Sequence, residues 1–204
     1  MTTKRFYFAL LFIFVSFSTF AANIGTVTHP IALNQKQVTT EFDGVTSTGG
    51  GIGVQIRYTQ KVLEQVKLEA GVGMSGGEYS GRAFLGADFQ ILEDYDYQPR
   101  VSMKTYYENA KEFGGRLNKL GVAPTASKGF NISGREIFPF VALPFAVNLN
   151  GDSNTYKTSL NLNLGATGKL SINSMENLVG NLEAMINLKD SYTGAFAGVT
   201  YTFN

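Results

Sequence analysis

The 204-residue sequence contains no cysteine. That excludes a disulfide framework, a thiolate metal site and a lipid-modified N-terminal cysteine, but leaves an oxidising compartment open. It contains one histidine, His29, beside Pro30, with no serine and acid arranged around it as general acid–base or nucleophilic catalysis needs. An excess of charge is also missing: 17 basic residues face 16 acidic ones, so nothing advertises nucleic acid or an anionic surface as a partner. After the N-terminus there is no second long apolar run, so no helix spans a membrane. If the chain resides in a bilayer, it does so as a closed barrel, because only a closed sheet satisfies its own backbone there.

What is present begins with an address. Lys4 and Arg5 precede a nearly continuous apolar run, Phe6 to Phe20, which ends in "STFAAN". Basic start, apolar core and small-residue exit together describe a secretory signal peptide, 1–21, and the core falls short of the roughly 20 residues of a spanning helix. Cleavage after Ala21 puts small Thr19 and Ala21 at the two positions a signal peptidase reads; cleavage after Ala22 puts bulky Phe20 there. The mature chain then carries 15 bases and 16 acids, a net charge of −1. Residues 22–35 show no clear period and read as a leading segment, followed by one domain, 36–204.

From there the chain alternates at period two, the mark of strands whose successive side chains leave on opposite faces. "GIGVQIRYT" sets Ile52, Val54, Ile56 and Tyr58 against Gln55 and Arg57. "QVKLEAGVGM" sets Val66, Leu68, Ala70, Val72 and Met74 against Lys67 and Glu69. The same contrast recurs in "RAFLGADFQI", "PRVSMKTYY", "YKTSLNLNLGATGKL", "NLVGNLEAMINL" and the closing "TGAFAGVTYTFN". "QVTTEFDGV" (37–45) is the weakest run, and 115–132 is irregular around Pro124. "IFPFVALPFAVNL" (137–149) is apolar on both faces and carries Pro139 and Pro144, so it is the place to expect a break in the ladder. Helical period fails throughout. The expectation is an all-β, up-and-down antiparallel barrel of about ten strands, with eight as the alternative.

The two faces differ in kind. Arg57, Lys67, Glu69, Arg82, Asp88, Lys104 and Glu183 lie deep within runs whose opposite parity carries no charge. An Arg or Lys facing hydrocarbon at mid-depth costs about 2 to 4 kcal/mol, so a membrane barrel must turn these groups into its lumen, where mixed signs pair. Tyr58, Tyr79, Tyr107, Phe113, Tyr156, Tyr192, Tyr201 and Phe203 gather near run ends, as interfacial girdles do.

The leader, the serial amphipathic runs and the closing "AFAGVTYTF" together resemble a small bacterial outer-membrane β-barrel protein of eight to ten strands. That resemblance implies outer-membrane lipid as surroundings and the barrel-assembly machinery as the partner during biogenesis. It makes Val199, Tyr201 and Phe203 the C-terminal assembly signal, with the departure that Asn204 follows Phe203.

No catalytic residue, cofactor site or metal site is expected. The barrel proteases and lipid-A-modifying enzymes of similar fold need a rim histidine beside acids or a serine, and His29 precedes the first strand. "EDYDY" (93–97) offers oxygens to a hard cation but reads as a solvated turn, and "TGGGIG" (48–53) lacks the helix that makes a phosphate loop. Three functions stay open: a structural or passive barrel with narrow small-solute passage, a surface interaction protein, and a soluble periplasmic barrel holding a small apolar ligand. Short connections weigh against the second, because loops usually carry recognition.

Overall fold

A computed structural model describes residues 25–47, 51–76, 79–112, 115–150, 155–170 and 177–204. The leader, 1–21, lies outside them, as do Phe113 and Gly49 and Gly50 of "TGGGIG". The described residues form strands joined by turns and contain no helix. The strands are β1 (Lys36–Val45), β2 (Ile52–Leu63), β3 (Val66–Ser75), β4 (Tyr79–Leu92), β5 (Arg100–Glu112) and β6 (Gly115–Ser127). They continue with β7 (Phe130–Ile132), β8 (Arg135–Ala142), β9 (Phe145–Asn150), β10 (Thr155–Lys169), β11 (Leu178–Lys189) and β12 (Gly194–Phe203).

Each strand pairs antiparallel with its neighbour, and β12 returns to β1 from Lys36↔Phe203 to Val45↔Gly194, closing the sheet. Closure leaves no edge among the barrel strands. Two of the twelve strands, β8 and β9, make a single stave between β6 and β10, and β7 stands outside the barrel as a hairpin on β8. The result is a ten-strand barrel, not the eight-strand alternative.

Proline explains the divided stave. Pro144 in β8–β9 and Pro124 on adjacent β6 have no N–H to give the ladder. Regular strand pairing lapses at Leu143–Pro144, yet the register does not slip: Ala142 faces Thr125 and Phe145 faces Val122. The proline carbonyls still accept, from Leu143 N to Pro124 O at 3.0 Å and from Asn161 N to Pro144 O at 2.9 Å. The break expected in 137–149 is there, but it is an interruption without a bulge. The irregular 115–132 region resolves into full-length β6 and the short β7. Ser133 and Gly134, with φ of 53° and 79°, turn β7 into β8 as a two-residue hairpin with both φ positive, matching the sheet twist. Period two failed across 115–132 because two strands and a turn share it.

The barrel is inside out relative to a soluble protein. Phe42, Leu68, Val72, Leu85, Leu120, Leu164 and Leu182 project outward, whereas Glu41, Gln55, Arg57, Glu69, Asn163 and Glu183 are buried. Among the described residues, 28 polar or charged side chains are buried, against 12 apolar ones. Three inward aromatics rest on glycines directly across the ladder: Phe84 on Gly71, Tyr106 on Gly121 and Phe140 on Gly165. A Cβ at any of these glycines would fall within the facing ring. The absent side chain is what lets each ring lie flat against the wall.

Candidate functional site: an ion-paired lumen

Alternation delivers every inward charge to one enclosed volume. Arg57, midway along β2 and 1% exposed, gives Nη2 to Glu41 and Nη1 to the Gly25 carbonyl, with Glu69 Oε2 at 3.5 Å. Lys104 Nζ reaches Glu69 at 3.0 Å. Asp88 is shared by Lys67 at 3.0 Å and Arg100 at 2.8 Å. Nearer the mouth where β1 ends and β2 begins, Arg82 pairs with Asp43, and Lys119 with Glu112 at 2.6 Å. Glu183 makes no ion pair; it accepts from Thr26 N at 2.6 Å and from Asn163. Gln55 and Asn181 add donors to Glu41, at 2.7 Å from Asn181. Buried charges persist only when paired and hydrogen-bonded, and this network meets that condition almost everywhere.

All seven charges singled out by alternation therefore lie in the interior: Arg57, Lys67, Glu69, Arg82, Asp88, Lys104 and Glu183. Six more were not singled out: Glu41, Asp43, Arg100, Glu108, Glu112 and Lys119. Glu41 and Asp43 sit in the weakest run, where Thr39 and Thr40 blur the contrast of faces. Glu108 and Glu112 extend β5 beyond Tyr107, and Lys119 occupies the irregular region.

The leading segment is part of this interior. From Asn34, whose N–H meets Lys61 O at 2.9 Å at the mouth holding Lys36 and Phe203, the chain passes back into the barrel. Ile31, His29, Thr28 and Thr26 are all buried. His29 sets its ring edge-on to Phe138, with centroids 5.3 Å apart. Thr28 Oγ1 meets Thr167 Oγ1 at 3.1 Å, and Thr28 O accepts from Arg100 Nη1 at 3.3 Å. Gly25 O accepts from Arg57 and, at 3.4 Å, from Lys104. A Cβ on Gly25 would lie 2.8 Å from Glu41 Oε1. Glycine is what allows the backbone to approach the central pair so closely.

His29 thus packs against an aromatic ring, away from any nucleophile. The "EDYDY" turn is likewise occupied by the chain itself: Asp94 accepts from Lys128 Nζ and, at 2.6 Å, from Gly129 N. Burial works against the Asp94 charge, but those two donors outweigh it and hold the carboxyl below its ordinary range. Among the described residues no group of His, Asp and Glu has the arrangement of a metal site. Tyr192 departs from the girdle expected of it. It turns inward, with its hydroxyl 3.2 Å from Glu112 Oε2 and its ring 5.9 Å from Lys119 Nζ. Tyr58, Tyr107, Tyr156 and Tyr201 do face outward, and Tyr201 stacks on Phe203 at 6.2 Å.

A charged, closed interior beneath a continuous apolar exterior has one architecture. The chain has the fold of a transmembrane β-barrel. Its solved likenesses are barrels too. A de novo designed transmembrane β-barrel is 16% identical over 86% of this chain and 100% of its own (TM-score 0.42). The N-terminal β-barrel domain of Pseudomonas aeruginosa OprF is 14% identical over 84% and 98% (TM-score 0.35). The translocator domain of the autotransporter NalP from Neisseria meningitidis is 13% identical over 87% and 90% (TM-score 0.41). No protein-family model and no curated protein matches the sequence.

Proposed function

We propose that the protein is an integral outer-membrane barrel with a closed lumen and a structural or passive role. Outer-membrane lipid surrounds it, and the barrel-assembly machinery reads Val199, Tyr201 and Phe203 during insertion. The observation that carries this reading is the filled interior. Wall charges pair across the lumen, and residues 25–31 occupy the space between them. A barrel of this size leaves an interior that side chains can fill, unlike the water-filled channels of 16 or more strands.

The soluble-carrier reading fares worse, because a small apolar ligand needs an apolar cavity. The inward apolar residues form only small clusters, Phe84 with Tyr106, Ala123 and Ala146, and Val45 with Met185 and Phe196. Among the described residues the interior is otherwise lined by charged and neutral polar side chains. Among the described residues no constellation of catalytic groups supports an enzymatic role.

Conductance tests the closed lumen. The purified mature protein in a planar bilayer is expected to give weak current or none. A mature chain lacking residues 22–33 is expected to pass small ions. Large, stable steps from the full chain would replace this reading with general diffusion.

A further inference from the structure

One side of a barrel mouth holds more positive charge than its inward acids answer. At the mouth where Lys36 and Phe203 lie, the wall from β2 to β5 carries the ladder row Lys61↔Lys67, Lys67↔Asp88 and Asp88↔Lys104. Three lysines thus share one row with a single carboxylate. Lys104 turns to Glu69 at 3.0 Å. Asp88 is left to Lys67 at 3.0 Å and Arg100 at 2.8 Å, one negative charge between two cations. Arg100 also keeps its Nε buried without a partner. Lys61 has no carboxylate at all among the described residues. Its backbone meets Asn34 and Gln35, but its ammonium makes no ion pair. Like charges directly opposite on one face of a sheet repel, so the Lys61–Lys67 pair is unfavourable until an anion stands between them.

The fold leaves room for that anion. A recess of about 220 Å³ lies at this mouth, lined by Lys61, Lys67 and Arg100 on the wall and by Pro30 and Ile31 of the leading segment. Glu64 and Glu93 border it too, as does Asp94, which Lys128 already holds. Each group of residues selects one property of a ligand. The bases select a negative head, best a carboxylate, whose two oxygens can serve Lys61 and Lys67 together. Pro30 and Ile31 select a short apolar body, because the recess falls below the roughly 300 Å³ at which pockets for drug-sized ligands begin. Glu64 and Glu93, exposed and without ion pairs among the described residues, repel a second negative charge. We propose that this recess binds a small organic monocarboxylate, its head between Lys61 and Lys67 and its apolar body against Pro30 and Ile31. The ligand then bridges the barrel wall and the leading segment.

The test uses the mature, isotope-labelled protein in nanodiscs of zwitterionic lipid, titrated with pentanoate at constant ionic strength and followed through backbone amide shifts. Saturable shifts are expected at Ile31, Lys61, Lys67 and Arg100, and none at Lys119 near the opposite mouth. Glutarate, the same carbon chain with a second carboxylate, should bind about tenfold more weakly, and pentylammonium, the same body with the opposite charge, should not bind. Lys61→Gln should weaken pentanoate binding about tenfold. Lys61→Arg, which keeps the charge, and Lys36→Gln, at the same mouth but outside the recess, should leave it within about twofold. Unshifted amides elsewhere in the barrel show that each variant is folded. Absence of saturable shifts with pentanoate overturns the site. Equal binding of pentylammonium reduces it to apolar sequestration and overturns the anion, and equal binding of glutarate overturns the monocarboxylate class. Pentanoate affinity unchanged in Lys61→Gln overturns the placement of the head.

Discussion

Arg57 holds the lumen together, and replacing it with methionine tests that directly. The guanidinium serves Glu41, Glu69 and the Gly25 carbonyl at once while 1% exposed. Methionine keeps much of the volume but leaves Glu41 with only the neutral donors Gln55 and Asn181 and no cation, while Glu69 and the Gly25 carbonyl keep Lys104 alone, in a space closed to bulk water. Breaking a buried pair by removing one member costs about 3 to 5 kcal/mol, chiefly because the surviving charge is left uncompensated. At about 1.4 kcal/mol per tenfold, the folded-to-unfolded ratio should fall by roughly two to four powers of ten. The chain has no tryptophan. Urea-dependent folding into short-chain lipid vesicles is therefore best followed by the mobility difference between unboiled and boiled protein on gels. Adding Glu41→Gln to Arg57→Met should recover part of the loss, since one stranded charge is gone. Lys111→Met, at an exposed position, should stay within about 0.5 kcal/mol of wild type. A loss below about 1 kcal/mol for Arg57→Met would mean that water or rearrangement compensates the acids, and the closed ionic lumen would be wrong.

Leu162→Arg, outward on mid-β10, should cost about 2 to 4 kcal/mol in the same assay, whereas Leu188→Arg near the end of β11 should cost about 0 to 1; equal costs would remove the depth-dependent lipid belt. Gly121→Val should cost about 1 to 3 kcal/mol by driving a side chain into the Tyr106 ring, while Gly76→Ala, with open space around it, should be neutral. Asp94 keeps its charge to lower pH than in the unfolded chain, so its tie to Lys128 and Gly129 is present above the ordinary carboxylate range and weakens as pH falls through the depressed value. A fall in the Gly129 amide protection factor on acidification, relative to the intrinsic exchange rate at each pH and removed by Asp94→Asn, would register that change.

What could be read from the sequence followed the contrast between faces. Where outward residues are large and apolar, as beside Arg57, Lys67 and Asp88, a single inward charge identifies its own side. Where both parities are small or polar, as at Thr39 to Asp43, the strand forms equally well but its inward charges stay hidden. Asn161 is a case where parity alone says too little. Parity puts it inside, yet only the structure reveals that Ser191 Oγ and the Tyr192 carbonyl hold its amide, so a lumen-facing position need not be a roomy one. The leading segment was illegible for a different reason. It carries no period because it lies in no sheet, and its place is set by contacts with Glu183, Phe138 and Arg57, more than 30 residues away in sequence in each case.

An ionic lumen also answers a problem peculiar to barrels in lipid. A strand's two faces exchange when its register slips by one residue. In water an apolar inner face and a polar outer one keep the register unambiguous. A barrel in hydrocarbon has already used apolar residues outside, so an apolar interior would make the two faces alike and the slip nearly free. Arg57 on β2, Lys67 on β3, Arg82 on β4, Lys104 on β5 and Lys119 on β6 each give their strand one or more charges that lipid rejects by about 2 to 4 kcal/mol. These charges need contribute little net stability once paired, because the cost of desolvating an ion pair offsets most of its attraction. What they set is which face is inner on the strands that carry them, and the neighbouring strands follow through the register of the closed ladder.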